Sequence, residues 1–242
     1  SVHPLLGPVS GGTRVSVVGA HFRESSTLVC RFELSSSTVV ARYVDSGRLE
    51  CSSAVSSGAG ARALELSLNG QQFSSSGVQY TYVSAASVSS VWPLTSVSEV
   101  STPVTVSGSG FVAVSESVGY LLCRFNTTSV AAAWRSTTEL HCIAPRHATG
   151  ATSVEVTINE QQHSNDGIRF EYEVVAAYSV YPTSGPTAGG TMVEVRGAGI
   201  ELPDARGLFC QFGSAEPVAA THSSRELVRC DDPASVGGSV GA

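Results

Sequence analysis

The sequence predicts an all-β protein of three β-sandwiches in tandem, the third incomplete. Three observations carry this: a composition poor in charge and in helix formers, a phrase that recurs at equal intervals, and apolar residues that alternate within each repeat. Charged residues are 14% of the chain, against about a quarter in ordinary globular proteins. Gly, Ser, Ala and Val dominate, and the Glu-, Lys- and Leu-rich runs that favour long helices are missing.

The phrase GPVSGGTRVSVVGAHF at residues 7–22 returns as GPTAGGTMVEVRGAGI at residues 185–200. Pro4, Pro93 and Pro182 are equally spaced, and from them Val15, Val104 and Val193 fall in step. So do Val17, Val106 and Val195, then Gly19, Gly108 and Gly197, then Phe22, Phe111 and Ile200. Each repeat next has Cys30-Arg31-Phe32, Cys123-Arg124-Phe125 or Cys210-Gln211-Phe212. A second cysteine follows in Leu49-Glu50-Cys51, Leu140-His141-Cys142 and Val228-Arg229-Cys230. The first two repeats also share Asn69-Gly70-Gln71-Gln72-Phe73 and Asn159-Glu160-Gln161-Gln162-His163. Such self-similarity defines modules, here 1–83, 84–175 and 176–242. The third stops before the tail strands of the other two.

Within the repeats Leu64, Leu66 and Leu68 alternate with Glu65 and Ser67, and Val154, Val156 and Ile158 with Glu155 and Thr157. Val78, Tyr80 and Tyr82, and Ile168, Phe170 and Tyr172, do the same. Period two puts one face in a core and the other in water. Short strands with turn signals between them, within one small module, read as a β-sandwich.

A glycine-rich phrase can also cradle phosphate, but that requires a helix after the glycines. Here Val15-Ser16-Val17 follows, and the second repeat carries Ser96, Val97, Val100 and Ser101 in place of the glycines. The phrase therefore reads as turn chemistry: Pro fixes φ and Gly supplies positive φ. The second repeat's first loop is expected to be shaped differently.

Six cysteines, two per module, point to one internal disulfide each. The two lie about twenty positions apart, and closing such a loop stabilises a small domain by about 3 kcal/mol. Zinc is the competing reading, but there is no CxxC and no His at a constant offset. Reduced core cysteines are the plain alternative. Asn126-Thr127-Thr128 is an N-glycosylation sequon. Paired cysteines and a sequon together point outside the cell.

Gly-Pro-x-x-Gly-Gly-Thr, Cys-x-Phe, Leu-x-Cys and the closing Tyr-x-Tyr or Phe-x-Tyr together resemble the IPT/TIG family. These are immunoglobulin-like domains of the plexin, scatter-factor-receptor and fibrocystin type. The resemblance covers essentially the whole chain and implies tandem immunoglobulin-like β-sandwiches. It also implies pairing of Cys30 with Cys51 and, by the repeat, Cys123 with Cys142 and Cys210 with Cys230. Departures are the lost glycines of the second repeat and Ala54, which stands where the later repeats have Pro145 and Pro233.

The net charge is −6, from 14 basic residues, all Arg, against 20 acidic ones. Binding nucleic acid needs clustered cations, so no nucleic-acid partner is expected. No apolar run approaches a membrane span. The chain opens on Ser1 with its one Met at 192, and is read as a processed form or a segment of something longer.

No constellation points to catalysis. Gly237-Gly238-Ser239-Val240-Gly241 matches a hydrolase elbow but has no strand-to-helix context and no His or acid after it. His141 reads as a surface residue. Asp231-Asp232 falls short of a calcium ligand set and reads as a solvated turn. Trp92, at a module boundary, is expected to pack the junction, whereas Trp134 suits either packing or sugar stacking. No cofactor and no metal are expected.

The expected role is a non-enzymatic structural or adhesive segment of a large extracellular cell-surface or filament glycoprotein, ciliary and cell-wall surfaces included. It would act as a stiff spacer. Its partners would be other extracellular proteins, further modules of the same array, and glycans. The alternative is the ligand-binding ectodomain of a plexin-like receptor. IPT modules of Rel-type transcription factors and of sugar-processing enzymes fit less well, given the acidic charge, the paired cysteines and the missing catalytic domain.

Overall fold

In a computed structural model the described residues are 1–32, 38–200, 208–224 and 226–235. They form two compact units. One is Ser1–Val91 with Pro103–Ile143 and Ser153–Ile168; the other is Trp92–Thr102 with Ala144–Thr152 and Arg169–Ala242. The fold is all-β and immunoglobulin-like.

In the first unit, the first module has one sheet of four strands, Val2–His3, Arg14–Val18, Arg48–Ser52 and Arg42–Asp45 in spatial order. Facing it are Thr38–Val40, Val29–Arg31 and Glu65–Ser67, together with Leu6–Pro8, Gln79–Val83 and Gly60–Ala63. Val15, Val17, Leu49 and Cys51 from one side meet Leu28, Cys30, Phe32, Tyr80 and Tyr82 from the other. The Tyr80 ring stands edge-on to Phe32 and Tyr82, with centroids 5.2 and 5.1 Å away, a favoured aromatic geometry. Cys30 and Cys51 are disulfide-bonded across this core, with Cα atoms 6.4 Å apart.

The expected alternation holds in part. Leu64 is buried and Leu66 half-buried, but Leu68 is 42% exposed while Ser67 is buried. The strand ends at Ser67, whose hydroxyl donates to Asn69 Oδ1 at 3.1 Å. The chain has therefore entered its loop before Leu68 can reach the core.

In the second module Leu122–Phe125 lies between Gly150–Thr157 and Thr128–Ser136. Thr128–Ser136 runs on to pair with Glu139–Ala144. Cys123 and Cys142, both buried, are disulfide-bonded. Ala113–Ser117 is a short helix with no counterpart in the expected repeat.

In the second unit Thr95–Val97 pairs in parallel with Arg169–Glu173. The third module contributes Ala176–Tyr181, Met192–Ala198, Leu227–Asp231 and Thr221–Ser224 as one sheet. Cys210 and Cys230 are disulfide-bonded.

The glycine phrase is a turn in both copies. Gly11 and Gly12 have φ of 72° and 80°, Gly189 and Gly190 of 73° and 83°, a region open to Gly at no steric cost. Gly11 N–H donates to Pro8 O at 2.9 Å and Gly189 N–H to Pro186 O at 3.0 Å. A Cβ on Gly11 would lie 2.7 Å from the Ala54 carbonyl. In the corresponding loop of the second module the residue at positive φ is Glu99, φ 61°, so that loop takes another path. The peptide bonds before Pro4, Pro93 and Pro182 are all cis.

Candidate inter-module interface

Within the first unit, a loop of the second module grips the start of a strand in the first. The loop is built from its own sequence: Asn159 Oδ1 accepts the N–H groups of Gln161 and Gln162 at 3.2 and 3.1 Å. This side-chain-to-backbone turn is typical of Asn. It aims both glutamine side chains outward. The Gln161 amide then binds Arg14 as a neighbouring strand would: Arg14 N–H donates to Gln161 Oε1 at 2.8 Å, and Gln161 Nε2 donates to Arg14 O at 2.8 Å. Thr13 Oγ1 donates to Gln162 Oε1 at 3.0 Å and accepts from Asn159 Nδ2 at 3.2 Å. Arg14 is open to this because the strand Val2–His3 pairs only as far as Ser16.

Three further contacts fix the junction. Tyr120 Oη and His3 Nδ1 are 2.8 Å apart, their rings edge-to-face at 5.2 Å. Burial raises the Tyr120 hydroxyl pKa above its ordinary value, while a backbone hydrogen bond from Leu5 opposes that shift. The connecting segment is held by Asp166, whose carboxylate accepts from Val88 N–H at 2.7 Å and Ser87 Oγ at 3.0 Å. Asn159 is buried at this junction.

The Asn-x-Gln-Gln recurrence is visible in the sequence as a repeat, but nothing in it announces a partner. Asn126, the sequon asparagine, sits at the tip of the two-residue hairpin between Phe125 and Thr128, with φ 54° and its side chain exposed. Trp92, expected to pack the junction, is instead 63% exposed. Val91 and Pro93 turn inward on either side of it and leave the indole on the outer face. Trp134 is half-buried and its Nε1 donates to Phe111 O at 3.3 Å.

His141 is exposed, 3.1 Å from Glu139. Asp232 serves its own turn, its carboxylate accepting from Thr191 N–H. Among the described residues no three His, Cys, Asp or Glu side chains are placed to hold a metal ion. Nor is any helix among them long and apolar enough to cross a membrane. The G-x-S-x-G match at 237–241 lies outside the described residues. In the second unit an open groove of about 1090 Å³ is lined by Tyr178, Arg196, Glu171 and Glu226 among others.

The IPT/TIG domain family matches residues 1–82, 86–172 and 177–242. Fibrocystin-L of Mus musculus is 24% identical over 210 residues; the match covers 87% of this chain and 5% of that protein. The chain thus spans a small fraction of that relative. Among solved structures, one of the full extracellular region of plexin A4 aligns over 98% of this chain and 21% of its own, at 16% identity and a TM-score of 0.48. A second plexin A4 structure aligns over 96% and 30%, at 14% identity and a TM-score of 0.47. With three successive matches spanning nearly every residue, the chain belongs to the IPT/TIG domain family.

Proposed function

We propose that this chain is a non-enzymatic, stiff spacer segment of a large extracellular cell-surface or filament glycoprotein, offering loops and strand edges to other proteins and to glycans. The clasp of Asn159, Gln161 and Gln162 on Thr13 and Arg14 carries this reading. A flexible tether would leave those amides to water. Instead they pair with the Arg14 backbone and the Thr13 hydroxyl of the neighbouring module. The three intramodular disulfides and the exposed sequon support an oxidising, extracellular setting.

Nitrogen-15 relaxation of the whole chain tests the spacer. Amides of residues 1–82 and of 103–143 are expected to report one common rotational correlation time. Two separate times would overturn the reading.

A receptor role is favoured by one observation, the groove of the second unit. Tyr178, 72% exposed, and Arg196 both line it, residue types suited to a sugar ring or an acidic peptide.

A further inference from the structure

The first module carries the same loop as the second, folded in the same way and, among the described residues, not covered by another module. Asn69 Oδ1 accepts the N–H groups of Gln71 and Gln72 at 3.0 Å each, and Asn69 Nδ2 bonds Gln72 Oε1 as Asn159 Nδ2 bonds Gln162 Oε1. What differs is cover. Asn159 is 1% exposed and Gln162 half-buried, whereas Asn69, Gln71 and Gln72 are all exposed. The loop therefore holds its gripping shape without a partner, so little ordering cost remains when one arrives.

We infer that Asn69–Gln72 is a docking site for another IPT/TIG module, the one placed immediately before it in a tandem array. It would seize the threonine at the start of that module's strand and the backbone of the next residue. This rests on the spacer reading above.

The occupant is defined by what the second module's loop reads. It takes a threonine hydroxyl, then one N–H and one C=O on the following residue. All three modules keep the threonine, as Thr13, Thr102 and Thr191, and the residue after it varies: Arg14, Pro103, Met192. Side-chain identity there is free because only backbone is read. Proline is the exception, since it has no N–H; a module with Pro at this place is gripped through one bond fewer. Four hydrogen bonds make a weak contact alone, and tandem linkage supplies the effective concentration that makes it persist.

The test is a four-module protein in which residues 1–89 are repeated directly before Ser1, reproducing the natural join of Ser89 to Ser90, the residue in register with Ser1. One variant carries Gln71→Cys in the resident first module and Arg14→Cys in the added one. A second carries Gln161→Cys with Arg14→Cys of the resident module. A third pairs Gln79→Cys, away from the loop, with the added Arg14→Cys. Under mild oxidation the first two are expected to link intramolecularly at similar rates and the third to stay open.

Linking in the second variant alone overturns the inference and leaves the spacer reading intact. Failure in both overturns the spacer reading as well. Linked dimers in the first variant would reassign the loop to a second copy. Without any cysteine added, the Arg14 N–H of the added module should exchange at least about tenfold faster once Gln71→Ala is made. No change would overturn the inference independently of the linking chemistry.

Discussion

Tyr82 and Tyr172 occupy equivalent places, and each reaches back to a backbone carbonyl three residues past a cysteine. Tyr82 Oη donates to Ala54 O at 2.9 Å and Tyr172 Oη to Pro145 O at 2.8 Å. The acceptor is a carbonyl, so the exchange of Pro for Ala between repeats costs this bond nothing. Tyr172 is 1% exposed and stacks on His147 at 4.9 Å. Burial pushes its hydroxyl from 10.0 up to about 12. In that window the unfolded chain releases the proton first, so stability falls as pH rises from about 10 towards 12 and is unaffected by this group below that. Tyr172→Phe is expected to cost about 0.5–1.5 kcal/mol at neutral pH and to flatten the alkaline loss. Urea unfolding of both proteins across that range measures it; equal slopes would refute the assignment.

At the scale of strands, Arg31 faces Glu65 and Arg124 faces Glu155 directly across their sheets, with Nε–Oε2 distances of 3.0 and 2.8 Å. Opposed charges on paired strands help fix register. Their neighbour differs. The Arg31 guanidinium lies 3.8 Å over the Phe73 ring, whereas the second repeat has His163 at that place. Burial first, then the Arg124 charge, lower the His163 pKa below 6.5. Its contribution is therefore full above pH 6.5 and lost on acidification, where the unfolded chain takes the proton first. His163→Phe should lose less stability between pH 7 and pH 5 than the parent protein does, by denaturant midpoint; an unchanged difference would refute this. The cation–π contact it creates contributes roughly 0.5–1 kcal/mol. Elements such as these were legible because strand alternation, turn glycines and the cysteine rhythm are local signals. The clasp was not, because Gln162 meets the Thr13 hydroxyl 149 positions away and Gln161 reads the Arg14 backbone, which almost any residue could supply. Trp92 misled for a related reason: its size promised burial, but the backbone of Val91 and Pro93 decides which way the indole faces.

The whole chain divides its core among small modules, and small modules bury too little surface to be secure unaided. A disulfide closing about twenty residues adds about 3 kcal/mol to each, a large share of a stability that is commonly only about 5–15 kcal/mol. Such a design works where the bond survives, which is outside the reducing cytosol. The sequon fits the same setting: Asn126 and Thr128 are both exposed at a hairpin tip. Peptide mapping of the natural protein without reduction joins the two arguments in one measurement. Cys30 linked to Cys51, Cys123 to Cys142 and Cys210 to Cys230, with glycan on Asn126, is the expected result. Free thiols at all six positions and a bare Asn126 would place the chain in a reducing compartment. The modules would then have to stand on their packed cores and on clasps such as Gln161 on Arg14 alone.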